Sequence, residues 1–145
     1  MSAAQSAPLT ALARTAEPYT ALRRFLAVDA VVTGVNGLAY LATSGPLGRL
    51  LGVDATLLIE LGAFLTVFAI AVGLLASRAR PAALPVRLVV EANLAWTVLS
   101  CVTLAIGLSP TTVGAIWTVL QALTVAGFAA LQHFALKVTR SDQRS

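Results

Sequence analysis

Four long apolar runs divide the chain. They cover 22–43 (LRRFLAVDAVVTGVNGLAYLAT), 56–77 (TLLIELGAFLTVFAIAVGLLAS), 86–107 (VRLVVEANLAWTVLSCVTLAIG) and 111–136 (TTVGAIWTVLQALTVAGFAALQHFAL). Each meets the roughly 20-residue length a helix needs to cross a ~30 Å hydrocarbon core. None alternates apolar and polar residues as a barrel strand would. The polar and small residues inside the runs recur with helical period. Asp29, Thr33, Asn36, Gly37 and Tyr40 fall at i, i+4, i+7, i+8 and i+11, which is one helix face. The third run repeats the pattern with Asn93, Thr97, Ser100, Thr103 and Gly107. The fourth carries Gly114, Trp117, Gln121, Thr124 and, further on, Gln132; the second carries Gly62, Thr66, Ala69 and Gly73. The spacing predicts four helices, each with one polar or small stripe turned inward and leucine, valine, isoleucine, phenylalanine and alanine turned toward lipid.

Turn and cap residues set the boundaries. Asp54 before the second run suits an N-cap, because its carboxylate can accept a free backbone N–H. Ser109 followed by Pro110 reads as N-cap and first helical position of the fourth helix. Pro81 and Pro85 bracket the link between the second and third runs, and Gly45-Pro46 breaks the chain after the first. PLGRLLGV, 46–53, reads as a short interfacial turn. The organisation is then a loosely ordered N-terminal tail (1–20), a four-span domain (21–137) and a polar C-terminal tail (138–145).

Composition and charge strengthen this reading. Of 145 residues, 58% are hydrophobic and 11% charged, against about 25% charged in ordinary soluble domains. A soluble fold this small leaves too much surface exposed to hide so much apolar area. A net charge of +4 would point a soluble chain toward nucleic acid, but here the basic residues sit between the runs. Arg14, Arg23 and Arg24 precede the first. Arg78, Arg80 and Arg87 lie between the second and third, and Lys137, Arg140 and Arg144 follow the fourth. Arg49 alone lies on the other side. The positive-inside rule then puts both termini and the middle loop in the cytoplasm. The first run is long for a signal-peptide core and holds an acid, so it reads as a retained span.

The polar residues within the spans are the candidates for chemistry. Asp29 lies seven residues into its run, roughly 10 Å from the boundary at 1.5 Å per residue. An aspartate at a helix centre costs ~2.5–3.5 kcal/mol on insertion scales. Asp29 is therefore a candidate proton or ion site, or one half of a buried pair with Arg23, Arg24 or a residue of another span. Thr33, Asn36, Asn93, Ser100 and Gln121 form a candidate polar seam. The same residues also serve helix packing, where amides and hydroxyls bond between helices and small residues let backbones approach. Arg87 and Glu91, one turn apart, suit an ion pair at the membrane boundary. Glu60 reaches headgroups or Arg49, His133 suits the last carbonyls of its helix, and Trp96 and Trp117 read as packing residues. One cysteine, Cys101, and one histidine allow no disulfide within the chain and no Cys/His zinc site, so no metal or cofactor is expected. The first and third runs both place an arginine, an acid and an asparagine in order, a weak internal repeat of two hairpins.

RRFLAVDAVVTGVNGLAYLATSGPLGRLLG, with NLAWTVLS and WTVLQALTVAGFAALQ, resembles uncharacterised small four-helix integral membrane proteins of high-GC bacteria over about residues 20–136. The hydropathy is loosely similar to that of DoxX-type four-span proteins, without a motif specific to them. Small multidrug transporters share the size and an acid in the first span, but the aromatic-rich first helix expected there is missing. The resemblance implies a bacterial cytoplasmic-membrane, multi-pass protein and brings no activity with it. The expectation is an all-α integral membrane four-helix bundle with both termini cytoplasmic. It is read as a non-enzymatic accessory or interaction subunit. The alternative is a proton- or ion-coupled small transporter, homodimeric and using Asp29. A membrane enzyme built on Asp29, Glu60, Glu91 or His133 ranks third. Expected partners are the lipid bilayer and either a second copy or another membrane protein, with no nucleic acid.

Overall fold

A computed structural model describes residues 3–106 and 110–145, with side chains from Tyr19 on. Their regular structure is four α-helices: α1 Ala3–Leu51, α2 Ala55–Ser77, α3 Ala83–Ala105 and α4 Thr112–Asp142. All four are long and apolar enough to cross a membrane, α1 through its portion Tyr19–Leu51. Large apolar side chains such as Val31, Val67, Val98 and Leu123 face outward on every helix. Soluble monomers rarely expose apolar surface on that scale.

Helix bounds differ from the expected ones for local reasons. The backbone of α1 is helical from Ala3, ahead of the expected span. Gly45-Pro46 bends α1 without ending it: the backbone leaves helical geometry at Thr43 (φ −129, ψ 26) and resumes to Leu51. Pro46 lacks an N–H and its ring crowds the carbonyl four residues back, which displaces the preceding turn. PLGRLL is therefore the last turn of α1, and Gly52, at φ +70, makes the left-handed stop. Asp54 caps α2, accepting from the backbone N–H of Thr56 at 2.8 Å and of Leu57 at 3.2 Å. Pro85 falls inside the first turn of α3, where its missing N–H would be unpaired anyway. Thr111 caps α4, accepting from Gly114 N–H at 3.1 Å; Ser109, expected in that role, and Gly107, the end of the third stripe, lie outside the described residues. α4 runs on to Asp142, through most of the expected polar tail.

The helices run up and down around a ring. α1 packs most closely on α2, α3 on α4, and the two hairpins join along α1 and α4, while α2 and α3 barely touch. The α1–α2 contact is close because both helices offer glycine. A Cβ on Gly37 would meet the Thr66 backbone nitrogen at 2.9 Å, and one on Gly62 would meet the Gly37 carbonyl oxygen at 2.8 Å. Small residues on facing helices permit such backbone approach.

The end of the bundle holding the helix starts of α1 and α3 is here called the terminal end; the opposite end, with the 51–55 and 106–112 connections, is the loop end. The terminal end is tightly filled. Leu22, Leu26, Val72, Val86 and Leu136 form one buried cluster, and Arg23 Nε donates to the Ala76 carbonyl at 3.0 Å, near the last turn of α2. A guanidinium there meets the unpaired carbonyls and negative dipole end of a helix. The loop end is tied by Thr111, which donates its N–H to Leu51 O at 3.1 Å and its hydroxyl to Leu50 O at 2.6 Å.

Candidate functional site

Asp29 is wholly buried, and three neutral side chains from three helices surround its carboxylate. Thr33, one turn on in α1, donates its hydroxyl to Oδ1 at 3.0 Å. Asn93 of α3 donates Nδ2 to Oδ2 at 2.9 Å, and Gln132 of α4 donates Nε2 to the same oxygen at 2.6 Å. The two amides also meet, Asn93 Nδ2 to Gln132 Oε1 at 3.3 Å. Among the described residues Asp29 is the one buried side chain that carries a charge. Pairing with Arg23 or Arg24 does not occur: Arg23 serves Ala76, and Arg24 is exposed. All three bonds are accepted by the carboxyl oxygens, one at Oδ1 and two at Oδ2.

A second polar tier lies toward the loop end. The Tyr40 hydroxyl accepts from Trp117 Nε1 at 2.9 Å and from Gln121 Nε2. Tyr40 is buried, whereas Trp117 and Gln121 are partly exposed. The two tiers share a register. Eleven residues separate Asp29 from Tyr40 in α1, and eleven separate Gln121 from Gln132 in antiparallel α4. At 1.5 Å per residue the tiers stand roughly 16 Å apart along the bundle.

Between them lies a cavity of about 700 Å³, bordered by Thr33, Asn36, Asn93 and Gln121 and by aromatic walls from Phe64, Phe68, Trp96, Trp117 and Phe128. No charged side chain lines it. A second cavity of about 430 Å³ extends past the Tyr40 tier to Gly52, Asp54 and Pro110 at the loop end, and Trp96, Leu99, Trp117 and Gln121 border both. Phe64 and Trp96 stack in parallel across the α2–α3 gap, with centroids 6.2 Å apart.

The expected seam is thus divided. Asn93 joins Asp29, and Gln121 joins Tyr40. Asn36 is half-buried at the cavity wall with no hydrogen-bond partner among the described residues. Ser100 turns back to its own helix, donating to Trp96 O at 2.8 Å. Most hydroxyls do the same: Thr66, Thr118 and Thr124 each donate to the carbonyl four residues earlier, a local bond that competes with interhelical contact. Thr97 alone among them also reaches a neighbouring helix, at 3.4 Å from Ala122 O. Arg87 and Glu91 are both exposed and form no ion pair among the described residues. Glu60, Arg49 and His133 are exposed, and His133 meets Phe134 edge-on. Cys101 is exposed and free. Among the described residues no three His, Cys, Asp or Glu side chains are grouped to hold a metal.

Two members of the site were not singled out from the sequence. Gln132 shares the Gln121 stripe, and its equal offset from the paired ends of α1 and α4 is the signal that places it level with Asp29. Tyr40 shares the Asp29 stripe, but an isolated phenol on a helix gives no sign of the Trp117 and Gln121 donors facing it. Trp117, read from the sequence as a packing residue, is partly exposed at the cavity wall and serves as a donor to Tyr40. Compared with family models, curated proteins and solved structures, the chain matches none.

Proposed function

We propose that the chain is a multi-pass protein of the bacterial cytoplasmic membrane, with both termini inside, acting as a non-enzymatic accessory or interaction subunit. Its placement draws support from the four apolar helices and from the basic residues gathered at the terminal end. The observation behind the role is the Asp29 cluster. An acid inside a membrane is by default a functional candidate, but both oxygens of this one already accept from neutral donors of its own bundle. None of the side chains bonded to it is titratable. Such a cluster orients α1, α3 and α4 and gives a fixed scaffold for a partner.

Orientation is tested in a Cys101→Ser background. Val53→Cys should react with an impermeant maleimide in intact cells and Arg80→Cys should not; the reverse pattern overturns the topology. The role is tested by purification from native membranes in mild detergent. A stoichiometric membrane partner that stays bound through gel filtration is the expected result, and recovery of the chain alone overturns the reading.

One observation favours a second reading, a proton- or ion-coupled transporter. Thr33 and Asn93 both bond to Asp29 and border the large cavity, so a solute there stands one side chain from the carboxylate. In proteoliposomes this reading requires pH-dependent flux that Asp29→Asn abolishes; flux unchanged in that variant removes it.

A further inference from the structure

The cavity between the two tiers has features that packing alone does not account for. Its volume, about 700 Å³, falls in the range of sites that hold a small molecule. Five of the chain's seven phenylalanines and tryptophans line it. Its rim residues Val35, Phe64 and Leu120 are each more than half exposed, and they lie near the middle of helices long enough to span a bilayer. The opening therefore faces sideways at hydrocarbon depth, where only lipid-soluble molecules gain access. The absence of any charged lining residue leaves an ion without a counter-charge.

Asn36 supplies the remaining feature. Its carboxamide borders the cavity and bonds to nothing among the described residues. An amide at hydrocarbon depth without a partner is costly, because no water is there to replace one. The neighbouring amides show the contrast: Asn93 and Gln121 also border the cavity, but both are hydrogen-bonded within the protein.

We propose that this cavity binds a neutral, lipid-soluble molecule with a flat ring and a carbonyl group, the ring against the aromatic walls and the carbonyl accepting from Asn36 Nδ2. Aromatic walls favour offset or edge-on contact with a second ring. The site rests on the membrane placement proposed above but not on the accessory role.

Trp96 and Trp117 are the chain's two tryptophans, and both line the cavity, so intrinsic fluorescence reports on it directly. The test uses the full chain in lipid nanodiscs, with flotation on liposomes as a separate check of membrane placement. The probe is 9-fluorenone, a flat neutral ketone, compared with fluorene, which has the ring without the carbonyl. Saturable quenching by fluorenone is the expected result. Asn36→Leu should weaken it about fivefold, the worth of one hydrogen bond, and leave fluorene binding unchanged. Ala92→Leu, which reduces the cavity, should weaken both ligands, and its flotation and thermal unfolding show whether it is folded. Failure to float removes the membrane placement. Flotation with linear, non-saturating quenching overturns the site. Equal binding of fluorenone to the native chain and Asn36→Leu overturns the role of the amide. Quenching by dibrominated phospholipid that fluorenone cannot displace identifies the occupant as a lipid chain and likewise overturns the proposal.

Discussion

The two polar tiers draw on similar side chains in different surroundings. In the Asp29 tier the acid and both amides are buried, and the Leu22–Leu26–Val72 cluster closes the bundle just beyond them. In the Tyr40 tier only the tyrosine is buried; Trp117 and Gln121 remain partly open, with a cavity on either side. The acid is therefore found beside the most fully buried part of the bundle. A buried carboxylate needs donors at fixed positions, since water cannot make up for a donor that drifts. A phenol with two donors tolerates looser neighbours, because a neutral group left short of a bond is less costly than a charged one. The loop half is held by close backbone contact between Gly37 and Gly62, by the buried Tyr40, Leu58 and Leu65 cluster, and by the Thr111 bonds to α1.

This contrast predicts a graded series of effects on unfolding in mixed micelles. Asp29→Leu should be the most damaging, with a loss of about 2–6 kcal/mol, since it leaves the Asn93 and Gln132 amides short of partners in a buried site at about 1–3 kcal/mol each. Asp29→Asn should lose less than half as much, because one oxygen can still accept from both amides while Thr33 turns its hydroxyl to accept. Equal losses for the two variants would mean that charge, and not hydrogen bonding, holds the tier. Gly37→Leu should come next, at about 1–3 kcal/mol for forcing a side chain into a packed contact. A negligible change there would detach the loop half from its supposed anchor.

Smaller effects test the tiers against each other. Gln132→Leu removes the 2.6 Å bond to Asp29 and should cost about 1–2 kcal/mol, since the acceptor it leaves is buried. Tyr40→Phe should cost about 0.5–1 kcal/mol, as a neutral bond in a partly open site does, and should shift the emission of Trp117. A Tyr40→Phe loss larger than that of Gln132→Leu would reverse the ranking of the two tiers.

Much of the helical architecture was legible in the sequence, because a run of some twenty apolar residues leaves a chain few other options. The Asp54 cap was legible because the motif is local. The Thr43 bend was not, since a proline can end a helix or kink it, and packing beyond the turn decides which. Within the site, the stripe of Asp29, Thr33, Gly37 and Tyr40 identified an inward face, but a stripe does not fix which neighbour lies at which height. That information is in the offset between α1 and α4, which meet at the loop end through the Thr111 bonds to Leu50 and Leu51. Serine and threonine misled for a separate reason. Their hydroxyls reach their own helix carbonyls, so they contribute less between helices than their polarity implies. The Arg87–Glu91 pair was inferred from spacing alone, and exposed long side chains need not adopt the one geometry that joins them.

The partners of Asp29 also set an order of events during synthesis. Asn93 follows it by 64 residues and Gln132 by 103. At about 5–20 residues per second, the ribosome takes about 5–20 s to deliver the last of them. Through that interval α1 has only Thr33, on its own backbone, to accompany the acid. In the membrane placement proposed above, the first helix therefore enters the bilayer carrying an incompletely partnered carboxyl group, or waits beside the translocation machinery until α4 arrives to complete the set.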